Sequence, residues 1–385
     1  MNILASTIAR IEEEFALNFS ERGELGASVS IWMGTSEICC LHGGFRERTK
    51  TVPWDSDTLV PVWSATKGPA SICVLLALHS RGMSPETRVG EIWPDLAMGL
   101  MKDLPVGDLL AHRGGLCALD SPAKAEDYPA VIRALEAQSP AWTPGQSHGY
   151  HPRTFGYLAD ELVRRLADQP LGVYWRNRVA DALALDFWIG LPLEEDHRVA
   201  EMVPPPQGHT DPDSEAFYHA LSSPQSLTQR SFRSPLGLEG VRDINRLETR
   251  RLSLPAQGGI GSARALAQFY AVLANGGEWC GYQLVPGVVC EWAEQTRSSG
   301  PDQVLLNPTA FSAGFMKDPQ QTNALERRHR FGPSLRAFGH PGAGGSHAFA
   351  DPAGRIAFAY VMNRMERSVF PTRKALSLVR RLYQA

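Results

Sequence analysis

Val62-Trp63-Ser64-Ala65-Thr66-Lys67-Gly68-Pro69 runs into an apolar stretch that continues from Ser71 to His79. That stretch predicts a helix beginning near Ser64 and ending by Arg81-Gly82. On a helix, positions three apart share a face. The Lys67 amine then lies over the Ser64 hydroxyl, as a base lies over a nucleophile. The helix start also brings free backbone N–H groups and a partial positive charge to Ser64, favouring an alkoxide and later an oxyanion. The spacing alone has little weight. Ser121-Pro122-Ala123-Lys124 repeats it in a polar loop with a proline inside and no apolar helix behind, and reads as a surface coincidence.

Upstream, residues 2–20 read as an amphipathic helix, with Ile3, Ile8, Ile11 and Phe15 set against Arg10, Glu12, Glu13 and Glu14. Ala27 to Met33 alternates as a strand, Gly34-Thr35-Ser36 turns it, and Glu37 to Leu41 returns. Residues 45–61 read as loop. Downstream, 83–250 offers no convincing paired strands, only helical segments near 105–111, 126–138, 153–167 and 171–184. Residues 203–235 read as a long irregular segment too polar for core, of the kind that forms lids and binding walls. Gly258-Gly259-Ile260-Gly261-Ser262 lacks the strand and the Gly-Lys-Ser ending of a phosphate loop. Ser262 reads as the N-cap of a helix over 263–274. A helix is expected near 288–295, a solvated basic loop at Glu326-Arg327-Arg328-His329-Arg330, strands at 335–339, 346–351 and 356–362, and a helix at 371–384.

Strands at both chain ends with helices between them predict an α+β fold. One antiparallel sheet, formed from both chain ends and flanked by terminal helices, makes a lobe of residues 1–80 and 255–385. Residues 81–254 make a mostly helical second lobe, and the cleft between the lobes suits a ligand.

With 385 residues, 43% apolar and 21% charged, the chain has ample material for a core. A formal net charge of −3 points to neither nucleic acid nor an anionic membrane. No basic n-region precedes an apolar h-region, and no apolar run is long enough to span a bilayer. The expected location is cytoplasmic. The six cysteines, Cys39, Cys40, Cys73, Cys117, Cys280 and Cys290, include no Cys-x-x-Cys pair. They are expected to be reduced and structural, with no metal.

Two further stretches carry chemistry. In Trp142 to Leu158, a turn at Pro144-Gly145 leads to Tyr150. Its phenol is either a packed aromatic or a group near Lys67 that relays the serine proton. In Phe338 to Ser346, His340-Pro341-Gly342-Ala343 is either a plain turn or a site where substrate backbone approaches closely, with a free N–H as second oxyanion donor. Gly344-Gly345-Ser346-His347-Ala348 nearly matches the Gly-x-Ser-x-Gly elbow, but it ends in alanine and leads into a strand pattern.

In order and spacing, these stretches resemble the serine beta-lactamase and penicillin-recognising superfamily. The similarity is greatest to its class C beta-lactamase-like esterases, the family VIII carboxylesterases. Ser64-Ala65-Thr66-Lys67 matches the Ser-x-x-Lys motif, and Tyr150 the tyrosine motif. Leu109 to Leu116 is similar to the Leu-Leu-x-His-x-x-Gly-Leu segment, and His340-Pro341-Gly342 stands where the lactamases have Lys-Thr-Gly. Pro152 replaces the asparagine of the lactamase tyrosine motif, and His340 the lysine that binds a lactam carboxylate. Both replacements leave acyl transfer intact and weaken the lactamase reading.

The resemblance implies a serine hydrolase of small carboxylic esters, needing no cofactor and no metal. Its catalytic residues would be Ser64, Lys67 and Tyr150, with an oxyanion hole of the Ser64 and Ala343 N–H groups. His340, Gly342, His112 and His151 are candidates for the pocket wall. Either a neutral Lys67 or an ionised Tyr150 could be the resting base, or the two titrate as a unit. A beta-lactamase or D-Ala-directed peptidase, a transacylase and a catalytically silent sensor are the alternatives.

Overall fold

The fold is that of a computed structural model, which describes residues 3–96, 99–206, 214–319 and 330–384. Its main sheet is antiparallel and eight-stranded. From edge to edge the strands are Ser36–Gly44, Gly26–Met33, Ile356–Met362, His347–Asp351, Phe338–Pro341, Met316–Lys317, Pro308–Phe311 and Ser298–Pro301. The hairpin near the start of the chain thus pairs with the last strand, Ala27 opposite Met362 and Met33 opposite Ile356. Every residue of Ile356–Met362 is buried, as in a sheet covered on both faces. The helix Ala263–Ala274 packs on the three strands Gly26–Met33, Ile356–Met362 and His347–Asp351. The terminal helices Ile3–Ser20 and Arg373–Tyr383 pack on each other. Between them and the sheet lies a buried polar knot. Lys374 Nζ is 3.1 Å from Glu24 and 3.2 Å from Glu366, and the Tyr360 hydroxyl donates to Glu24 at 2.5 Å.

The expected helix at the nucleophile is present in two parts. Ser64–Thr66 forms a 3-10 turn and Lys67–Ser80 the α-helix, all but its last two residues buried. Gly82 follows with a positive φ, as suits a helix stop. Against this helix pack Thr154–Ala167 and Leu171–Trp175. The helices expected in 105–184 are observed at Val106–Leu110, Tyr128–Ala137, Thr154–Ala167 and Leu171–Trp175, the last continuing as a π-helical turn to Ala180.

Several readings are corrected. Gly259–Gly261, where no strand was expected, is the middle strand of a small sheet, between Val60–Pro61 and Phe187–Ile189. Its lack of side chains hid the strand pattern. Ser262 does cap the following helix, accepting from Ala265 N–H at 3.1 Å. Residues 284–330 also contain three strands of the main sheet, Ser298–Pro301, Pro308–Phe311 and Met316–Lys317. Each is four residues or fewer, too short for alternation to register. The 203–235 segment holds two helices, Glu215–Ser222 and Leu227–Arg233, and buries Phe217 against Phe232; its residues 207–213 lie outside the described residues. The strand expected at 335–339 runs instead from Phe338 to Pro341, because Leu335 is exposed at the preceding turn. Glu14, assigned to the polar face of the first helix, is buried between Arg22 and Arg381. Of the basic run 326–330, only Arg330 lies among the described residues, its guanidinium over the Phe370 ring.

All six cysteines are free. Among the described residues, no helix is long and apolar enough to cross a membrane, and no cluster of acidic, histidine or cysteine side chains is fit to hold a metal ion.

Candidate active site

The turn that carries Ser64 is held by its neighbours rather than by helix propensity. Trp63 has φ +51, a conformation costly for a non-glycine residue and common at functional sites. Thr66 secures it on two sides. Its hydroxyl donates to Trp63 O at 2.5 Å and accepts from Gly259 N–H at 2.8 Å. A Cβ on Gly259 would sit 2.6 Å from that hydroxyl, so the strand approaches only because residue 259 is glycine.

Lys67 is fully buried, with its Nζ 3.4 Å from Ser64 Oγ. The same nitrogen donates to Pro152 O at 2.8 Å and Ala256 O at 2.9 Å. It also sits 4.7 Å from the centre of the Tyr150 ring. Among the described residues, no carboxylate pairs with it. Burial alone therefore drives its pKa well below the usual lysine range. A neutral amine has two N–H bonds and one lone pair. The two carbonyls can take both hydrogens, leaving the lone pair for the Ser64 hydroxyl.

Tyr150 comes from the loop before Thr154–Ala167. Its ring stacks on Phe311, centres 6.1 Å apart, and its backbone N–H donates to Asp302 Oδ1 at 3.0 Å. The hydroxyl is buried and makes no hydrogen bond of standard geometry. Burial raises its pKa far above the ordinary phenol value, while the nearby Ser64 side chain pulls the other way. Burial thus keeps this phenol in its protonated form at neutral pH.

Around Tyr150 stand three buried histidines. His112 lies 5.0 Å and His340 5.8 Å from the tyrosine ring, and His151 lies 5.3 Å from His112, measured between centroids. His112 Nδ1 accepts from His151 N–H at 3.1 Å, so its proton is on Nε2. His151 Nδ1 lies 2.7 Å from Gly149 O, and His340 Nδ1 lies 2.7 Å from Pro341 O. In both rings Nδ1 is thus the donor and Nε2 a bare acceptor. Burial pushes His151 down to about 3, and moves His112 and His340 well below the ordinary value. All three are neutral at neutral pH.

The last strand-to-turn segment completes the site. A Cβ on Gly342 would lie 2.1 Å from Val62 O, so its backbone rests directly on the nucleophile turn. Ala343, next along, is half-buried. Among the described residues, neither the Ser64 nor the Ala343 N–H donates to a backbone carbonyl. Ser64, Lys67 and Tyr150 are thus brought together with His340, Gly342 and Ala343, and His112 and His151 lie behind the tyrosine. Ser346 is fully buried with an unpartnered hydroxyl, and Lys124 lies out in solvent paired with Glu126.

Sequence reading missed the carbonyls of Pro152 and Ala256, which bear no side-chain signature, and Asp302, which stands in none of the stretches the sequence singled out. Pro152 was read only as the loss of a side-chain donor; its carbonyl holds Lys67.

An eight-stranded antiparallel sheet with a buried Ser-x-x-Lys helix beside a tyrosine loop defines a serine hydrolase of the beta-lactamase fold. The sequence profile of the Beta-lactamase family matches residues 8–380, and the chain belongs to that family. Among characterised relatives it is similar to the esterase/beta-lactamase LipL of Mycobacterium tuberculosis (strain ATCC 25618 / H37Rv), 30% identical over 363 residues, covering 93% of this chain and 81% of that protein. Among solved structures it is similar to a family VIII carboxylesterase, with TM-score 0.84, 31% identity and coverage of 100% of this chain and 98% of the other. It is also similar to a penicillin-binding protein homolog from Caulobacter crescentus, with TM-score 0.83, 33% identity and coverage of 98% and 97%.

Proposed function

We propose that this protein is a serine carboxylesterase that hydrolyses esters of small carboxylic acids through an acyl-enzyme on Ser64. The observation that carries the reading is the Lys67 amine, buried without an anion, its hydrogens occupied by two carbonyls and its remaining direction facing Ser64 Oγ at 3.4 Å. Ser64 Oγ attacks the ester carbonyl carbon as its proton passes to Lys67 Nζ. The tetrahedral oxyanion accepts from the N–H groups of Ser64 and Ala343. The carbon–oxygen bond to the alcohol breaks, the alcohol takes its proton from the Tyr150 hydroxyl, and Lys67 reprotonates Tyr150. Water then attacks the acyl carbon, giving its proton by the same pair, and the proton returns to Ser64 Oγ as the acid leaves.

His340 and Pro152 favour esters over beta-lactams. A neutral imidazole is a poor clamp for a carboxylate, and Pro152 offers no side-chain donor. The relatives described as a family VIII carboxylesterase and an esterase/beta-lactamase support the same substrate class. The test is a panel of p-nitrophenyl esters of increasing acyl length, run beside nitrocefin on wild type and Ser64→Ala. Short-chain ester turnover lost in Ser64→Ala is the expected result. Nitrocefin turnover within about tenfold of the best ester would favour a lactamase, since a missing specific contact typically costs far more than that. Absence of fluorophosphonate labelling in wild type would rule out an active serine.

A further inference from the structure

Tyr150 is held by a group that lies outside the Ser64–Lys67–Tyr150 trio. Asp302 is buried, and both of its carboxylate oxygens accept hydrogen bonds. Oδ1 accepts from the backbone N–H groups of Tyr150 at 3.0 Å, Val304 at 2.8 Å and Leu305 at 2.8 Å. Oδ2 accepts from the Thr309 hydroxyl at 2.9 Å. Thr309 spends its hydrogen on Asp302, so its oxygen accepts from His148 Nε2, 2.9 Å away. His148 lies two residues before Tyr150, and its backbone oxygen in turn accepts from Gln303 N–H at 3.1 Å. Two strands of the main sheet, Ser298–Pro301 and Pro308–Phe311, bracket Asp302. The second ends in Phe311, on which the Tyr150 ring stacks.

We infer that Asp302 is a positioning residue for Tyr150. With Thr309 and His148 it ties the tyrosine loop to the edge of the sheet at two points, and so fixes where the phenol hydroxyl stands relative to Ser64 and Lys67. The physical reason is the number of donors on one carboxylate. Burial raises the Asp302 pKa and the backbone N–H donors work against that rise; three such directional bonds on one oxygen tie residue 150 to residues 304 and 305. A phenol at the end of a long side chain moves with any shift of its backbone, and displacement by about 1 Å is enough to cost on the order of a hundredfold in rate. The loop contributes little regular structure of its own: the residues from 147 to 151 belong to no helix or strand.

This inference rests on Tyr150 being the proton-relay group, and a double-mutant cycle separates the two. The kcat and KM of wild type, Asp302→Asn, Tyr150→Phe and the double variant are measured on p-nitrophenyl butyrate. The expected results are a fall of about ten- to a hundredfold in kcat for Asp302→Asn, KM within about twofold, and less than twofold further loss when Asp302→Asn is added to Tyr150→Phe. An equal loss in both backgrounds would overturn the inference, because Asp302 would then act by another route. Unchanged kcat with lowered thermal stability would also overturn it, leaving Asp302 purely structural. Full activity in Tyr150→Phe would instead remove the role of Tyr150 itself. Should Asp302→Asn fail to fold, Thr309→Val enters the same cycle, with the same pattern expected at smaller size and the same outcomes overturning it.

Discussion

Lys67 carries two consequences at the scale of one side chain. Burial without an anionic partner holds its pKa well below the usual range. In the proposed mechanism Lys67 is the base and must be neutral, so kcat/KM is expected to rise with pH through that lowered value and then level. Arginine keeps its charge at every accessible pH. Lys67→Arg is therefore expected to cost about 10²–10⁴-fold in kcat/KM, the usual worth of a general base. Stability follows by linkage. Between the folded pKa and the unfolded value of roughly 10.4, the unfolded chain binds the extra proton, so stability rises with pH. Lys67→Met lacks that slope. The melting temperature of wild type minus that of Lys67→Met is expected to become more positive between about pH 7 and about pH 9.5; a flat difference would mean that Lys67 stays charged in the fold. The buried histidines act in the same sense at lower pH. His151 is pushed down to about 3, so from its unfolded value of roughly 6.5 down to there only the unfolded chain takes its proton, and stability falls as pH falls. Titrating the melting temperature of His151→Gln beside wild type checks this: the variant loses less on acidification.

Among the elements, the decisive contacts are those between short pieces of backbone. The Gly342 segment rests on Val62 O and the Gly259 strand on Thr66, both where a Cβ would collide. In Gly342→Ala the new Cβ would strike the Val62 carbonyl, a backbone group that cannot swing aside as a side-chain end can. That substitution is expected to lower kcat about a hundredfold through the misplaced Ala343 donor, while fluorophosphonate still labels Ser64; unchanged kcat would remove residue 343 from the oxyanion site. These contacts also mark what could be read in advance. The Ser64 helix was legible because its apolar run and its stop signal agree, and the helix at Thr154–Ala167 because its periodicity is long. The strand Gly259–Gly261 and the three short strands at 298–317 were not, since glycine and two- to four-residue strands carry no alternation. At the site, Ser64 and Lys67 were singled out by their spacing together with the apolar helix behind them, and Tyr150 by the resemblance of its stretch to the family's tyrosine motif. The carbonyls that hold Lys67 were not, because only the folded chain brings residues 152 and 256 beside residue 67.

At the scale of the molecule, the sheet is closed by its most distant parts. Ala27 pairs with Met362, and Glu24 and Lys374 form a buried ion pair. Truncating Lys374 leaves the buried Glu24 carboxyl without its cation, with only the Tyr360 hydroxyl and the Leu25 N–H as donors. Lys374→Ala is expected to cost about 3–5 kcal/mol of stability, measured by denaturant unfolding, against much less for the double variant with Glu24→Gln.

The pairing of residues 27 and 362 has a temporal corollary. Contacts so far apart along the chain form slowly, and the turn under Ser64 is buttressed by Gly342, which lies just ahead of the strands that close the sheet. A chain emerging from the ribosome therefore holds an inert serine until nearly all of it has been made. On dilution from denaturant, capture of a fluorophosphonate should lag behind the return of helical signal, so that reactivity is the last property the molecule acquires.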